Sequence, residues 1–590
     1  MEDKLRETYD KMNPTEEQEE RMLAALLEAQ QAADGRAPEQ KRGGFRAWKV
    51  AVPLAACLVL GATFVGMGVM NRPTEAPTSS TEAASPNAAA PKGEMKLLEM
   101  DSAAEADGMA CTADVEAIEP EHPFNTEEYA AVDENGFVAT ATQPLSTVSA
   151  DVDTASYANL RRMIDDGSSL KSVPSGAVRT EEILNYFTYD YARPTGDEKF
   201  SMQAQASQCP WNADTQLLTI GFATPYETGV AEKGANLVFL VDVSGSMDDP
   251  DKLGLLQDSF ATLLESLDGN DRVSIVTYAN GEELVLDGAR GDDDQAILRA
   301  IYRLRADGAT NGERGLQMAY EVAERNFIEG GVNRIVMASD GDLNVGITSQ
   351  SDLYDFVDGK RETGVYLSVL GFGAGNYKDT KMETLADHGN GSYHYIDSID
   401  EAKRVLSERL MANLVPFADD VKVQVEFNPA QVKAYRLIGY ENRELAAEDF
   451  LDDSVDAGDV GPNAQFTVAY EVVLAGSPYE VNVPDLKYGT AAEPGGSSDW
   501  LTCSLRYRAF DDGEVHSQEM AIGGGSETAQ PSDDWRFASA VIEFAMLARD
   551  SDYRGGASFD SVLGILDQIG LNSERAGFRE LVEKAKEQSA

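Results

Sequence analysis

The feature that most constrains the fold is the stretch from Leu237 to Met247, which has the sequence LVFLVDVSGSM. Its apolar run ends on Asp242, and two hydroxyl side chains follow at alternate positions, Ser244 and Ser246. Such a run predicts a strand buried on both faces, as in a parallel sheet covered by helices. Open α/β sheets place their ligand sites at the carboxyl ends of their strands. Oxygen ligands at that edge suit a hard divalent cation, Mg²⁺ or Mn²⁺.

From Leu237 onward, strand-like runs alternate with amphipathic helical stretches, which is typical of a doubly wound α/β domain. The predicted strands are Leu237–Val243, Arg272–Tyr278, Arg334–Ser339, Val365–Gly371 and Ser392–Ile396. The predicted helices are Lys252–Leu267, Asp294–Arg305, Glu313–Arg325, Ser349–Gly359 and Met382–His388. Because the carboxyl ends of parallel strands share one edge, we expect residues that follow different strands to meet Asp242 there.

Length and charge set the class of protein and of partner. A chain of 590 residues is too long for one core, so several folded units are expected. Its 102 acidic and 49 basic residues give a formal net charge of −53. A field of that sign repels phosphate backbones, which argues against nucleic acid as a partner. Cations and basic protein surfaces are compatible with it, and so is an acidic surface that binds nothing specific.

The N-terminal part of the chain predicts a membrane anchor. Residues 50–70 carry no charge and are long enough to span the hydrocarbon core of a bilayer. Basic residues crowd the N-terminal flank of this segment, so we expect a single-pass helix with residues 1–49 in the cytoplasm. Leu54–Cys57 also resembles a lipoprotein cleavage box, but the apolar run continues well beyond Cys57. Residues 71–122, rich in Ala, Pro, Ser, Thr and Glu, predict a disordered linker.

Cysteine and histidine are too scattered to predict a zinc centre or a catalytic base. The four cysteines contain no CxxC pair, and the four histidines contain no HExxH motif. Outside the cell, disulfide pairing among Cys111, Cys209 and Cys503 stays open.

Two further segments carry candidate oxygen ligands after other predicted elements. They are Gly308-Ala309-Thr310-Asn311 and Ser339-Asp340-Gly341. Together with Asp242-Val243-Ser244-Gly245-Ser246, this ordered set resembles the metal ion-dependent adhesion site of von Willebrand factor type A domains. A lone DxSxS would be a weak signal, whereas three loops in the right order form a specific one.

The resemblance implies a metal site and a mode of binding. Its metal residues would be Asp242, Ser244, Ser246, Thr310 and Asp340. The three hydroxyls can ligate Mg²⁺ or Mn²⁺ without adding charge, and the two carboxylates can act partly through waters. The metal then stays electrophilic with one open position, which an acidic side chain of a partner protein could fill.

The resemblance extends to both sides of this domain. The segments around Phe124, Thr147–Asp153, Val178–Phe187, Cys209–Asn212, Asp420–Phe427 and Tyr435–Arg443 resemble bacterial surface proteins of the YfbK-like group. Period-two patterns predict strands at Met202–Ala206, Leu217–Phe222, Val421–Phe427, Phe466–Leu474 and Trp500–Arg508. We therefore expect one β-sandwich built from both flanks, with the type A domain inserted between them.

The predicted organisation follows from these observations. It comprises a cytoplasmic tail (1–49), a transmembrane helix (50–70), a linker (71–122), an N-terminal flank (123–231), the type A domain (232–412), a β-rich region (413–530) and C-terminal helices (531–590). The expected function is that of a non-enzymatic, membrane-anchored surface protein that binds a protein ligand through the metal. Two alternatives stay open: a transmembrane sensor that signals through its tail, and a metal-assisted hydrolase, for which the sequence offers no general base.

Overall fold

The computed structural model describes residues 126–150, 152–196, 198–226, 233–310, 312–341, 350–361, 363–375, 377–409, 417–481, 497–510 and 512–589. The predicted tail, membrane helix and linker lie outside these ranges. Within them, no helix is both long and apolar enough to cross a membrane.

The strands and helices of the described residues follow in chain order. The strands are β1 (Val138–Ala139), β2 (Leu145–Ser149), β3 (Ser201–Gln208), β4 (Gln216–Ala223), β5 (Ala235–Asp242), β6 (Arg272–Tyr278), β7 (Glu282–Arg290), β8 (Val332–Ser339), β9 (Tyr366–Phe372), β10 (Tyr393–Ile396), β11 (Ala418–Phe427), β12 (Val432–Ile438), β13 (Glu444–Leu445), β14 (Gly458–Val460), β15 (Gln465–Leu474), β16 (Asp499–Ala509) and β17 (Val515–Gly523). The helices are α1 (Ala155–Asp165), α2 (Thr180–Tyr186), α3 (Leu255–Leu264), α4 (Asp294–Ile301), α5 (Gly312–Arg325), α6 (Gln350–Arg361), α7 (Asp379–His388), α8 (Ile399–Lys403), α9 (Asp533–Ala548), α10 (Phe559–Leu566) and α11 (Ser573–Ser589).

The inserted domain is built on one sheet with the strand order β10-β9-β8-β5-β6-β7. Its strands are parallel except β7, which pairs antiparallel with β6 at the edge. Every residue of β5 and of β8 is buried, as expected for central strands of a parallel sheet. The predicted α/β domain is therefore present, and each of its five predicted strands is found. The edge strand β7 was not predicted.

Each predicted helix of the inserted domain is also found, with shifted ends. The first helix was expected to start at Lys252, but one turn of π-helix, Pro250–Gly254, precedes α3. The last helix, α8, also continues into a π-helical turn, Arg404–Arg409.

The two flanks of the inserted domain share two antiparallel sheets. In the five-stranded sheet β1-β12-β15-β4-β3, β4 from the N-terminal flank pairs with β15 from the C-terminal flank. In the other sheet, β13-β2-β11-β16-β17 with β14 beside β11, β2 pairs with β11. Phe427 of β11 and Tyr435 of β12 stack across the two sheets with ring centroids 4.0 Å apart. The expectation that strands from both flanks share sheets is confirmed.

A helical layer covers the outer face of the five-stranded sheet. Helices α1, α2, α9, α10 and α11 enclose one core, in which the Phe187, Phe537 and Phe578 rings meet edge to face. Leu217 and Ala469 join this core from the sheet. Ser532 begins α9 by accepting a hydrogen bond from the Trp535 amide at 3.2 Å. The C-terminal helices thus pack on the sandwich.

Buried ion pairs fix the inserted domain against the flanks. Arg179, beside α2, pairs with Asp379 of α7 at 2.6 Å, and both side chains are almost fully buried. Arg161 of α1 pairs with Glu401 of α8 at 2.8 Å. Burial alone would raise the pKa of Glu401, but Arg404 and Arg161 outweigh it and lower the pKa to about 2.

The two described cysteines are buried free thiols, Cys209 and Cys503. Burial raises the pKa of both thiols, so they act as small core side chains. A disulfide between Cys209 and Cys503, one of the pairings that the sequence left open, is therefore absent. Cys111 lies outside the described residues.

Candidate metal site

The candidate site lies at the carboxyl edge of the central strands. β5 ends on Asp242, and its parallel neighbour β8 ends on Ser339, directly before Asp340. Since both strands run in the same direction, their ends bring the DxSxS loop and the Ser339–Gly341 loop to one edge. The sheet thereby places these two predicted ligand segments side by side.

Asp242 is fully buried and held by two hydrogen bonds. Its Oδ1 accepts from the Ser244 amide at 2.8 Å, and its Oδ2 accepts from the Ser339 hydroxyl at 3.1 Å. Burial raises the pKa of Asp242 to about 6, although the hydrogen bonds from Ser244 and Ser339 act in the opposite direction. A buried carboxylate in this setting gains from a cation nearby.

The hydroxyls of Ser244 and Ser246 form a pair with a spacing that fits a metal. Their Oγ atoms share a hydrogen bond at 3.0 Å, a separation that two ligands of one cation can also adopt. Two ligands at adjacent octahedral positions, each about 2.1 Å from Mg²⁺, are separated by about 3.0 Å. Ser244 is buried and Ser246 is half-buried, so the pair borders the surface. The donor set therefore suits a small divalent cation with exchangeable positions.

The loop that carries Thr310 is hydrogen-bonded to the DxSxS loop. The Gly245 amide donates to the Gly308 carbonyl at 3.0 Å, two residues before the half-buried Thr310. Gly308 has a φ of +88°, and a Cβ there would lie 2.0 Å from Asn280 Nδ2. Glycine is thus required for this close approach. Asn311 lies outside the described residues.

Asp340 is buried and contacts a cation that the sequence analysis missed. Its Oδ2 lies 3.2 Å from Lys252 Nζ, which also donates to the Ser246 carbonyl at 2.8 Å. A signal for this was present in the sequence. Lys252 is in helical phase with Leu256 and Phe260, which are both buried, so the pattern placed Lys252 on the inner face.

Three further carboxylates follow the DxSxS loop in the chain. Asp248, Asp249 and Asp251 are exposed around the DxSxS loop. In the described part of the chain, no group of three or more His, Cys, Asp and Glu side chains is arranged to hold a metal. The candidate site, with two carboxylates and three hydroxyls, is not a group of that kind, because most of its ligands are hydroxyl oxygens.

Comparisons with known proteins identify the family of the chain. Family descriptions match three ranges: "von Willebrand factor" at 123–219, "von Willebrand factor type A domain" at 237–342 and "Uncharacterized protein YfbK, C-terminal" at 412–588. The Escherichia coli protein described as "Uncharacterized protein YfbK" is 38% identical over 452 residues, covering 74% of this chain and 76% of that protein. The chain belongs to the YfbK-like family of von Willebrand factor type A proteins.

Other similar proteins share less of the chain. "Uncharacterized protein sll0103" of Synechocystis is 28% identical over 167 residues, covering 28% of this chain and 39% of that protein. A solved structure, "von Willebrand factor type A from Catenulispora acidiphila", is 14% identical with a TM-score of 0.38, covering 65% of this chain and 89% of that one. The three family descriptions fall on the N-terminal flank, the type A domain and the C-terminal flank.

Proposed function

We propose that this YfbK-like protein is a surface protein that binds a protein ligand through a divalent cation at the edge of its type A domain. Von Willebrand factor type A domains generally mediate protein–protein interaction. The observation that carries the proposal is the hydroxyl pair of Ser244 and Ser246, spaced 3.0 Å apart beside the buried Asp242. The ion, Mg²⁺ or Mn²⁺, would supply an electrophilic centre for a carboxylate of the partner.

Each side chain has a role in this proposal. Ser244, Ser246 and Thr310 would ligate the metal through neutral oxygens, while Asp242 and Asp340 supply the negative charge. The hydrogen bonds from the Ser244 amide and the Ser339 hydroxyl hold the Asp242 carboxylate in place. Because the direct ligands are neutral, the site retains affinity for an anionic group.

The proposal is one of binding and not of catalysis. The described histidines are engaged elsewhere: His388 contacts Asp358 at 2.9 Å, His394 contacts Thr154 at 3.0 Å, and His516 contacts Asp512. Hydrolysis by a metal-bound water would need a base held next to the site. These contacts favour a role in recognition.

The proposed location is the cell surface, with the N-terminus in the cytoplasm. Support comes from the uncharged segment 50–70, the basic residues before it and the linker composition of 71–122. In that arrangement the type A domain and the sandwich lie outside the membrane.

A double substitution tests the metal site directly. In the full-length protein purified in detergent, Ser244→Ala with Ser246→Ala should abolish Mg²⁺ binding measured by titration calorimetry. The exposed Ser172→Ala serves as a matched control and should bind like the wild type. Unchanged Mg²⁺ affinity in the double variant would refute the assignment.

Cross-linking and mass spectrometry on intact cells, with and without chelator, test the partner. Proteins cross-linked to the wild type should disappear with chelator and with the double variant. A set of cross-linked proteins that is indifferent to both changes would contradict metal-dependent binding.

A further inference from the structure

Lys252 is a buried ammonium inside the candidate metal site. Its side chain is 6% exposed, and its Nζ lies 3.2 Å from Asp340 Oδ2 and 2.8 Å from the Ser246 carbonyl oxygen. A third oxygen, Oδ2 of the exposed Asp249, lies 3.8 Å away. The ammonium thus contacts two of the residues assigned to the metal.

The backbone that follows β9 leaves space for the Lys252 side chain. Gly373 follows β9 directly, and a Cβ on it would lie 2.3 Å from Lys252 Cε and 2.4 Å from Cγ. Gly373 also has a φ of +74°, a conformation that favours glycine. Its carbonyl is held by the Tyr395 hydroxyl at 2.7 Å. The space that the Lys252 side chain occupies therefore depends on a glycine at position 373.

The position of the ammonium changes the charge balance of the site. Without Lys252, the carboxylates of Asp242 and Asp340 would cancel the charge of a bound divalent cation. With Lys252, one carboxylate charge is already offset, so the loaded site is one charge more positive than it would be without the lysine. A nearby positive charge weakens cation binding and favours an anionic ligand, and both effects are strong where water is excluded.

We propose that Lys252 is a built-in counter-ion of the metal site, which lowers its affinity for divalent cations and makes the loaded site one charge more positive. This inference rests on the proposed metal site. It adds that Lys252 favours an anionic group of the partner at the metal. In the metal-free protein, Lys252 holds the Asp340 carboxylate in place.

Charge-neutral variants of Lys252 test the inference through metal affinity. Lys252→Met keeps the length of the chain and removes the charge, while Lys252→Gln also keeps a hydrogen-bond donor. In the full-length protein, both variants should bind Mg²⁺ at least about tenfold more tightly than the wild type by titration calorimetry. A purely structural role for Lys252 would leave the affinity unchanged or weaken it.

Lys171→Met is the matched control, because Lys171 is an exposed lysine in a turn that packs near α11. Its Mg²⁺ affinity should stay within about twofold of the wild type, as expected for a screened surface charge. Equal or weaker Mg²⁺ binding by both Lys252 variants, with the wild type binding normally, would overturn this inference alone. Absence of Mg²⁺ binding in the wild type and in both variants would overturn the metal site as well.

Discussion

Arg436 and Glu471 form an ion pair in which each side chain is 1% exposed. Arg436 of β12 donates from Nη2 and Nε to one Glu471 oxygen, at 3.0 and 3.3 Å. Glu471 also accepts from Trp211, Asn212 and Thr215 of the N-terminal flank, at 3.3, 2.8 and 2.8 Å. One buried carboxylate thus joins both flanks of the inserted domain, and Arg436→Met is the sharpest test of that junction.

The expected cost follows from what the substitution leaves behind. Arg436→Met keeps the volume but strands a buried carboxylate, which costs about 3–5 kcal/mol of unfolding free energy. The variant also loses the position of the guanidinium over the Tyr553 ring, 4.6 Å from its centroid. In the double variant with Glu471→Gln the fully buried Glu471 charge is gone, while Glu134, 16% exposed, still loses its contact with Arg436 at 3.5 Å. At least about 2 kcal/mol should therefore return.

Urea denaturation followed by tryptophan fluorescence measures these differences. Arg290→Met is the control, because Arg290 and Asp292 form a surface pair that is 61% and 51% exposed. Loss of that pair should leave the midpoint of urea denaturation almost unchanged, because water and salt screen an exposed ion pair. If Arg436→Met costs no more than the control, or if the double variant is less stable than the single one, the buried pair does not hold the flanks together as argued.

Two further predictions concern pH and the ligand loops. The pKa of Glu401 is about 2 in the folded protein against an ordinary 4.5, so its stabilisation is present above pH 4.5 and is lost as the pH falls toward 2. The stability difference between wild type and Glu401→Gln should shrink by about 2 kcal/mol between pH 6 and pH 3 in urea titrations, and a constant difference would contradict the assignment. Gly308→Ala places a Cβ 2.0 Å from Asn280 Nδ2 at a φ of +88°, so it should displace the Thr310 loop. Calorimetry should then show Mg²⁺ binding at least about tenfold weaker than in the wild type, and unaltered affinity would remove Thr310 from the ligand set.

The central strands could be predicted from sequence because they are buried on both faces. The run Leu237–Val241 and its neighbour Arg334–Ser339 carry enough apolar residues to mark strands without knowledge of their partners. The edge strand β7 could not be found in this way. None of its residues is buried and its burial pattern has no period of two, and its pairing with β6 is broken by two register shifts.

The sandwich shows a different limit. Period-two patterns identified strands on both flanks, but the pairing of Gln216–Ala223 with Gln465–Leu474 depends on contacts between residues far apart in the chain. The candidate metal site also has one part that the sequence predicts and one part that it does not. Asp242, Ser244 and Ser246 lie in one short motif, whereas the contact of Lys252 with Asp340 forms only when a π-helical turn and two strand ends meet.

The first described residues of the chain bind the loop that borders the metal site. The Thr126 amide donates to the Gly375 carbonyl at 2.7 Å, and the Glu128 amide donates to the Tyr377 carbonyl at 2.9 Å. This loop begins at Gly373, whose lack of a side chain leaves space for Lys252. Its last residue, Lys378, packs against Gly341, where a Cβ would lie 2.6 Å from the Lys378 amide nitrogen. The segment after the predicted linker is therefore fastened next to the candidate metal ligands. Because both contacts are backbone hydrogen bonds, they fix the position of the loop and do not depend on which side chains it carries.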